Sequence, residues 1–159
     1  MFMGTFTNKV DSKGRVSVPA EFRARLDEEG SAGIICYPSF TDQCLEGGGP
    51  RLFDNLQDMI EQMDPYDPLR DAFEVSIIAD CQRFLFDTEG RITLTQKLVK
   101  HADIDDCITF VGRGDKFQMW NLTCYEDYRY KARQLARENR GLLLRHRPIP
   151  KRDREEWNE

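Results

Sequence analysis

The sequence predicts an α+β protein made of two similar halves in tandem, with connecting helices and a C-terminal helix. The segment 11–18 (DSKGRVSV) returns as 87–94 (DTEGRITL), offset by 76 residues, the distance from Asp11 to Asp87. An apolar i, i+4 pair typical of a helix follows each copy, and a β-branched, strand-like run follows each helix. Because the surrounding pattern repeats as well as the motif, we interpret the halves as copies of one unit.

The first half has the pattern strand, loop, strand, helix, strand. Its helix is expected over 19–29, because proline suits a first helical turn and Phe22 and Leu26 lie on one helical face. Glu21 and Arg25 are spaced to form an exposed ion pair on that helix. The first half should therefore contain a helix with an apolar stripe at Phe22 and Leu26.

The second half repeats this order. Leu98 and Ala102 occupy the positions of the first apolar pair under the same offset, so we expect a helix over 95–102. The runs rich in β-branched and aromatic residues predict strands; they are 33–37 in the first half and 107–111 and 117–120 in the second.

Two helices are predicted between the halves. The first has an amphipathic stripe that stops at Asp64-Pro65; its members are Leu52, Leu56, Met59, Ile60 and Met63. Asp67 can cap the second helix, with Pro68 in its first turn. The run 75–78 (VSII) has strand propensity but also fits a helical face, and we favour a helix there.

A capping box, Thr123 with Glu126, predicts the start of the C-terminal helix, and Gly141 can end it in a left-handed cap. The remaining residues resemble an extended or mobile basic tail. We therefore divide the chain into four parts: a first half with its helical extension (1–79), a second half (80–122), a C-terminal helix (123–141) and a tail (142–159).

The charge is distributed unevenly along the chain. The net charge of −5 argues against a general nucleic-acid coat. Residues 1–128 contain 13 basic and 23 acidic residues, whereas 129–154 contain 10 basic and 2 acidic ones. This basic tail could bind DNA or RNA by itself or form a solvated charged helix.

Several classes of protein are not supported by the sequence. No apolar run approaches the roughly 18 residues of a membrane span, so we expect a cytoplasmic protein without a membrane partner. The five cysteines include no C-x-x-C pair, and only two histidines could assist them in binding a metal. They therefore indicate buried or unreactive free thiols rather than a zinc site. Without an H-x-x-x-H, G-x-S-x-G or P-loop motif, we expect no enzyme activity, cofactor, metal or small-molecule substrate.

The duplicated loop is the candidate functional site. In each copy the glycine, Gly14 or Gly90, permits a left-handed turn. The aspartates are expected to shape the loops or to hold the arginines in ion pairs; they are Asp11 and Asp87. A single copy would be an ordinary hairpin turn, but two matched copies favour a paired contact surface for a groove of DNA.

The basic side chains of the loops are suited to DNA. Arg15 and Arg91 can form bidentate hydrogen bonds with guanine or bridge phosphates, and Lys13 adds a mobile positive charge. Glu89 occupies the position of Lys13 in the second copy and would repel phosphate. The first loop should therefore be the stronger DNA contact.

These segments resemble the MraZ family, which is related to the AbrB/SpoVT group of transcription factors. The resemblance covers about residues 1–130 and rests on four segments, 1–4, 11–23, 87–92 and 111–120. It implies two AbrB-like swapped-hairpin β-barrel halves packed as an intramolecular pseudo-dimer, and a ring-shaped homo-oligomer. Thr95 stands where the family often has a proline, which a helix start tolerates.

The resemblance also implies a function. Members of the family are nucleoid-associated transcription factors that bind G-rich repeats in double-stranded DNA upstream of the division and cell wall gene cluster. Their D-x-x-x-R loops bind the DNA, which corresponds here to Lys13, Arg15 and Arg91. Two alternatives stay open: an AbrB-type antitoxin that binds a partner protein and DNA, and a purely structural ring.

Overall fold

The protein has an α+β fold, described over residues 1–145 by a computed structural model. The first half contains β1 (Thr5–Lys9), β2 (Arg15–Ser17), α1 (Ala20–Glu28), β3 (Gly33–Pro38) and β4 (Leu45–Gly48). The connection contains α2 (Pro50–Glu61) and α3 (Pro68–Phe73), which a π-helical segment continues (Glu74–Ala79). Then come β5 (Gln82–Leu85), β6 (Arg91–Thr93), α4 (Gln96–His101), β7 (Cys107–Gly112), β8 (Phe117–Trp120), α5 (Leu122–Glu138) and α6 (Arg140–Arg145).

The strands of the two halves interleave. A six-stranded antiparallel sheet has the order β1-β7-β8-β4-β3-β5, and a two-stranded ribbon pairs β2 with β6. Three pairings therefore join the two halves: β2 pairs with its equivalent β6, and the first strand of each half pairs with the third strand of the other, β1 with β7 and β5 with β3. Because neither half has a sheet of its own, both halves lie in one unit, Met1–Tyr125.

The main core is aromatic. The Phe22 ring lies 5.3 Å from that of Phe2, 5.6 Å from that of Phe6 and 5.2 Å from that of Phe117. Side chains alternate between the two faces of a strand, so one set of β3 side chains packs in this core. Tyr37, on the other face, packs in a second cluster with Ile60 of α2. Strand β3 is thus covered by apolar side chains on both faces.

The first half agrees with the sequence prediction in its helix and differs in two details. Helix α1 buries Phe22 and Leu26, as expected, but Arg25 bonds to Glu29 (Nη1 to Oε2, 2.7 Å) instead of Glu21. Strand β4 was missed, because its glycine-rich sequence has low β propensity. Gly47 is needed there, since a Cβ at that position would lie 2.7 Å from the Phe117 ring.

The connecting helices confirm most of the prediction. Asp67 caps α3, with its carboxylate accepting the Leu69 N–H at 2.9 Å, and the 75–78 run is helical. Met59, however, is exposed rather than part of the buried stripe, and α2 ends at Glu61, before Met63. The buried stripe of α2 is therefore narrower than its apolar spacing indicated.

The C-terminal helix begins earlier than predicted. Asn121 caps α5, because its Oδ1 accepts the Cys124 N–H at 3.1 Å; the capping box at Thr123 was wrong. Gly141 does not adopt a left-handed conformation but lies within α6, so residues 142–145 are helical and not extended. The rest of the predicted tail, 146–159, lies outside the described residues.

Across residues 1–145, no helix combines the length and the apolar composition needed to cross a bilayer.

Candidate nucleic-acid interface

The first loop, residues 11–15, is closed by a single carboxylate. Asp11 Oδ1 accepts the backbone N–H groups of Lys13 (2.9 Å) and Arg15 (2.8 Å), and Asp11 Oδ2 accepts Arg15 Nε at 2.7 Å. The Gly14 N–H donates to the Asp11 carbonyl at 3.0 Å, and Gly14 has φ +79°. Asp11 therefore fixes the backbone turn and the arginine side chain together.

The second loop, residues 87–91, repeats this geometry. Asp87 Oδ1 accepts the N–H groups of Glu89 and Arg91, both at 2.9 Å, and Asp87 Oδ2 accepts Arg91 Nε at 2.8 Å. The Gly90 N–H donates to the Asp87 carbonyl at 3.1 Å, and Gly90 has φ +74°. The sequence repeat is thus also a repeat of hydrogen bonds.

These bonds favour the charged form of both aspartates. The backbone N–H of Arg15 is the largest cause that lowers the pKa of Asp11 below its ordinary value of 3.8, and the N–H of Arg91 does the same for Asp87. Both carboxylates are therefore charged and bonded at neutral pH.

We expect the first loop to keep its conformation at mildly acid pH. Because the folded-state pKa of Asp11 is lowered, the stabilisation is present above the unfolded value and is lost as the pH falls through the folded pKa. The amide NMR shifts of Lys13 and Arg15 should therefore change only at a midpoint below 3.8. The Asp11→Asn variant should lose this transition, and a midpoint above 3.8 in the unchanged chain would contradict the expectation.

The two loops lead into the two strands of one ribbon. Its register pairs Arg15 with Thr93 and Ser17 with Arg91, while Val16 and Ile92 lie opposite each other and are buried. Since side chains alternate along a strand, the other four point away from the core. We call this set the ribbon face: Arg15, Ser17, Arg91 and Thr93.

The ribbon face has pseudo-twofold symmetry. Its arginines occupy one diagonal and its hydroxyl-bearing side chains the other, because the strands are antiparallel. Ser17 and Thr93 are exposed, and our sequence reasoning did not include them in the site. The alternation of polar and apolar residues in both repeats was the signal that could have identified them.

The charges of the two loops differ. Lys13 is exposed in the first loop, whereas Glu89 is 68% exposed in the second and its Oε2 lies 3.1 Å from Arg91 Nη1. Asp87 is the main cause that raises the pKa of Arg91, and Glu89 and Asp11 add to it. Arg91 is thus paired with two carboxylates of its own loop and Arg15 with one.

A further basic residue, Arg23 of α1, lies beside the second loop. Its Nε donates to the Val18 carbonyl at 3.0 Å, and a Cβ built on Gly90 would lie 2.6 Å from its guanidinium. The equivalent residue of the second half is Val99, at the offset of the repeat. The first half therefore supplies a positive charge to the second loop, which we missed because the contact is tertiary.

We expect alanine at either loop glycine to lower the free energy of unfolding. Gly14→Ala and Gly90→Ala should each cost about 1–2 kcal/mol, because both glycines have positive φ. Gly90→Ala should also displace the Arg23 guanidinium. Urea unfolding measures the effect, with Gly141→Ala in α6 as the control; there a Cβ meets open space and alanine favours a helix. Equal stability of Gly14→Ala and the unchanged chain would contradict the assigned loop conformation.

The cysteines do not contribute to this site. All five are free thiols, and burial raises the pKa of Cys36 to about 12 and that of Cys81 to about 11. Over residues 1–145, no group of three His, Cys, Asp or Glu side chains is arranged to hold a metal ion. The candidate interface therefore consists of the loops, the ribbon face and Arg23.

Comparison with known proteins identifies relatives along most of the chain. The model of the family described as "MraZ protein, putative antitoxin-like" matches residues 1–75 and 77–144. The Transcriptional regulator MraZ of Pelagibacter ubique is 43% identical over 143 residues, which cover 90% of this chain and 92% of that protein. The proteins of the same name from Rickettsia bellii (strain OSU 85-389) and Rickettsia typhi are 44% identical, over 92% of this chain and 97% of each relative.

Proposed function

Because this chain belongs to the MraZ family, we propose that it regulates transcription by binding double-stranded DNA through the ribbon face and Lys13. Its relatives are named transcriptional regulators. The observation that carries the proposal is the pair of arginines held by matched loops on one two-stranded ribbon. The proposal includes no catalytic step and no cofactor.

The dimensions of a two-stranded ribbon suit the major groove of B-DNA. Asp11 bonds to Arg15 through Nε, so this bond does not use the outer edge of the guanidinium, which is formed by its two terminal nitrogens. Those nitrogens can donate to O6 and N7 of a guanine. Ser17 and Thr93 can bond to base edges or phosphates beside it. The face therefore combines a base-reading group with groups that fix its position.

We also propose that the two halves are AbrB/SpoVT-like swapped hairpins that pack as an intramolecular pseudo-dimer. The interleaved pairings, β1 with β7 and β3 with β5, support this. Chains would assemble into a ring on the nucleoid that binds G-rich direct repeats upstream of the division and cell wall gene cluster. Several ribbon faces on one ring would gain roughly 10²- to 10⁴-fold in avidity, which offsets the net charge of −5.

Selection from a random DNA library tests this function directly. We expect the purified full-length chain to enrich G-rich repeats and to bind the selected duplex with an affinity that falls steeply with salt. Each phosphate neutralised should contribute about 0.9 to the slope of log K against log salt concentration. If no sequence is enriched from the library, or if the chain binds the selected and shuffled duplexes equally tightly, sequence-specific regulation through these loops is excluded.

A second candidate is an antitoxin-like module, which the description of the matched family favours. Such a protein needs a partner protein as well as DNA. If the purified chain alone binds the selected duplex as tightly as it does in a cell extract, no partner is required for the DNA function. A complex with a second protein that raises the affinity would favour the antitoxin-like alternative.

A further inference from the structure

An uncovered apolar groove lies between α2 and the π-helical segment that follows α3. Ile60 and Ile78 line it together with Val75, Glu61 and Glu74. Val75 is 57% exposed and Ile78 42%, although both are apolar. Contiguous exposed apolar side chains with a polar rim are typical of a surface that binds another protein.

The connection that contains the groove is acidic, with eight acidic and two basic residues in 50–80. Of these, Glu61, Glu74 and Arg70 line the groove itself. Arg70 donates to Glu74 (Nε to Oε1, 3.0 Å) and to the Met63 carbonyl (3.0 Å). Arg70 and Glu74 therefore neutralise each other, which leaves Glu61 to give the groove its negative charge. We call this surface the acidic groove.

The second unit of the chain carries a surface of complementary character. Leu143 is 79% exposed and Leu144 74%, and Leu142 and Leu135 are also exposed. Three arginines and one glutamate lie among them in residues 135–145, over the end of α5 and all of α6. We call this stretch the basic leucine segment.

We propose that the basic leucine segment of one copy docks in the acidic groove of a second copy. Its leucines would cover Val75 and Ile78, and its arginines would face the acidic rim that includes Glu61. Burial of apolar surface would supply most of the affinity, and the opposite charges would fix the orientation. The charge and apolarity of both surfaces select this occupant, since DNA would engage the arginines but leave the leucines exposed.

Such a contact joins two different surfaces of one chain, so each copy has one of each to offer. Contacts of this head-to-tail kind generate closed rings when their rotation closes. The inference therefore rests on the ring that forms part of the proposed function, and it identifies the surfaces that would build it.

Two variants of the full-length chain test the contact. The groove variant, Val75→Glu with Ile78→Glu, and the segment variant, Leu143→Glu with Leu144→Glu, change only exposed side chains. We expect multi-angle light scattering to give several chains for the unchanged protein and one chain for each variant alone. An equimolar mixture of the variants should give two chains, because one intact groove then meets one intact segment.

Several results would overturn the proposal. They are a one-chain mass for the unchanged protein, a variant that keeps the full mass, and a mixture that stays at one chain. Weaker DNA binding by the segment variant at unchanged mass would assign the segment to DNA and overturn it as well. Met59→Glu, an exposed change of α2 outside the groove lining, is the matched control and should keep the full mass.

A charge-reversal variant tests the contact without placing a charge among the apolar side chains, where it could disturb folding. Glu61→Arg leaves the apolar lining intact and should raise the dissociation constant of the oligomer at low salt, with a smaller effect at high salt. A dissociation constant that does not change would count against the contact. If the DNA selection fails but the variants change the mass as expected, the proposed function is wrong and this interface is retained. If the DNA selection succeeds but the variants keep the full mass, only this interface is wrong.

Discussion

Replacing Arg15 and Arg91 together by alanine should abolish preferential binding to the selected duplex while the fold is retained. Loss of Arg15 alone should cost about 1–3 kcal/mol, or roughly 5- to 150-fold in Kd, if it contacts a guanine. The double variant should lose more, because both arginines lie on one ribbon face. Fluorescence anisotropy with the selected and a shuffled duplex measures affinity and preference together.

The two single variants should not be equivalent. Arg91 is paired with Asp87 and Glu89, whereas Arg15 is paired with Asp11 alone and lies near the exposed Lys13. Arg15→Ala should therefore weaken binding more than Arg91→Ala does. Arg15→Lys should recover little of the preference for the selected duplex that Arg15→Ala loses, because an ammonium group cannot form the bidentate hydrogen bonds of a guanidinium.

The control for this experiment is Arg51→Ala, which removes one exposed positive charge outside the ribbon face. Arg51 bonds to Glu29 through its backbone N–H, so that contact survives the change. Circular dichroism and light scattering should be the same for all variants. If the double variant binds the selected duplex as well as the Arg51→Ala control does, the ribbon face is not the DNA-binding surface.

Local features of the site could be predicted from the sequence. A left-handed glycine and an aspartate that accepts nearby amides act within five residues, so the turn chemistry of both loops is visible in the residues themselves. The helices around Phe22 and Leu98 were predicted for a similar reason, since apolar spacing reports directly which side of a helix is buried.

Features that depend on distant parts of the chain could not be predicted in the same way. Strand β4 has little propensity of its own and exists because Gly47 allows the Phe117 ring to approach. Arg23 lies beside Gly90 only because the two halves share one sheet. The pairing of β1 with β7 joins residues about 100 positions apart, which no periodicity encodes.

The interleaved sheet also links the loops to the core. Val16 and Ile92 lie beneath the ribbon face and belong to the same apolar cluster as Phe22 and Phe117. The two arginines are therefore held apart at a distance that depends on packing in the core as well as on their own loops. Damage to the core should consequently affect both halves together.

Phe22→Ala should lower the free energy of unfolding by about 3–5 kcal/mol, which is a large part of the 5–15 kcal/mol typical of a domain. Phe22 is 1% exposed, and its ring contacts those of Phe2, Phe6 and Phe117, so removal leaves a cavity among rigid neighbours. Denaturant unfolding followed by circular dichroism measures the change.

The matched control is Leu85→Ala, an apolar change at a side chain that is 78% exposed, which should stay within about 0.5 kcal/mol. Because the halves share one sheet, amide exchange in Phe22→Ala should accelerate in β5 and β7 as well as in β1 and β3. Faster exchange confined to the first half would mean that the halves unfold separately, and a loss below about 1 kcal/mol would mean that the aromatic cluster does not stabilise the core.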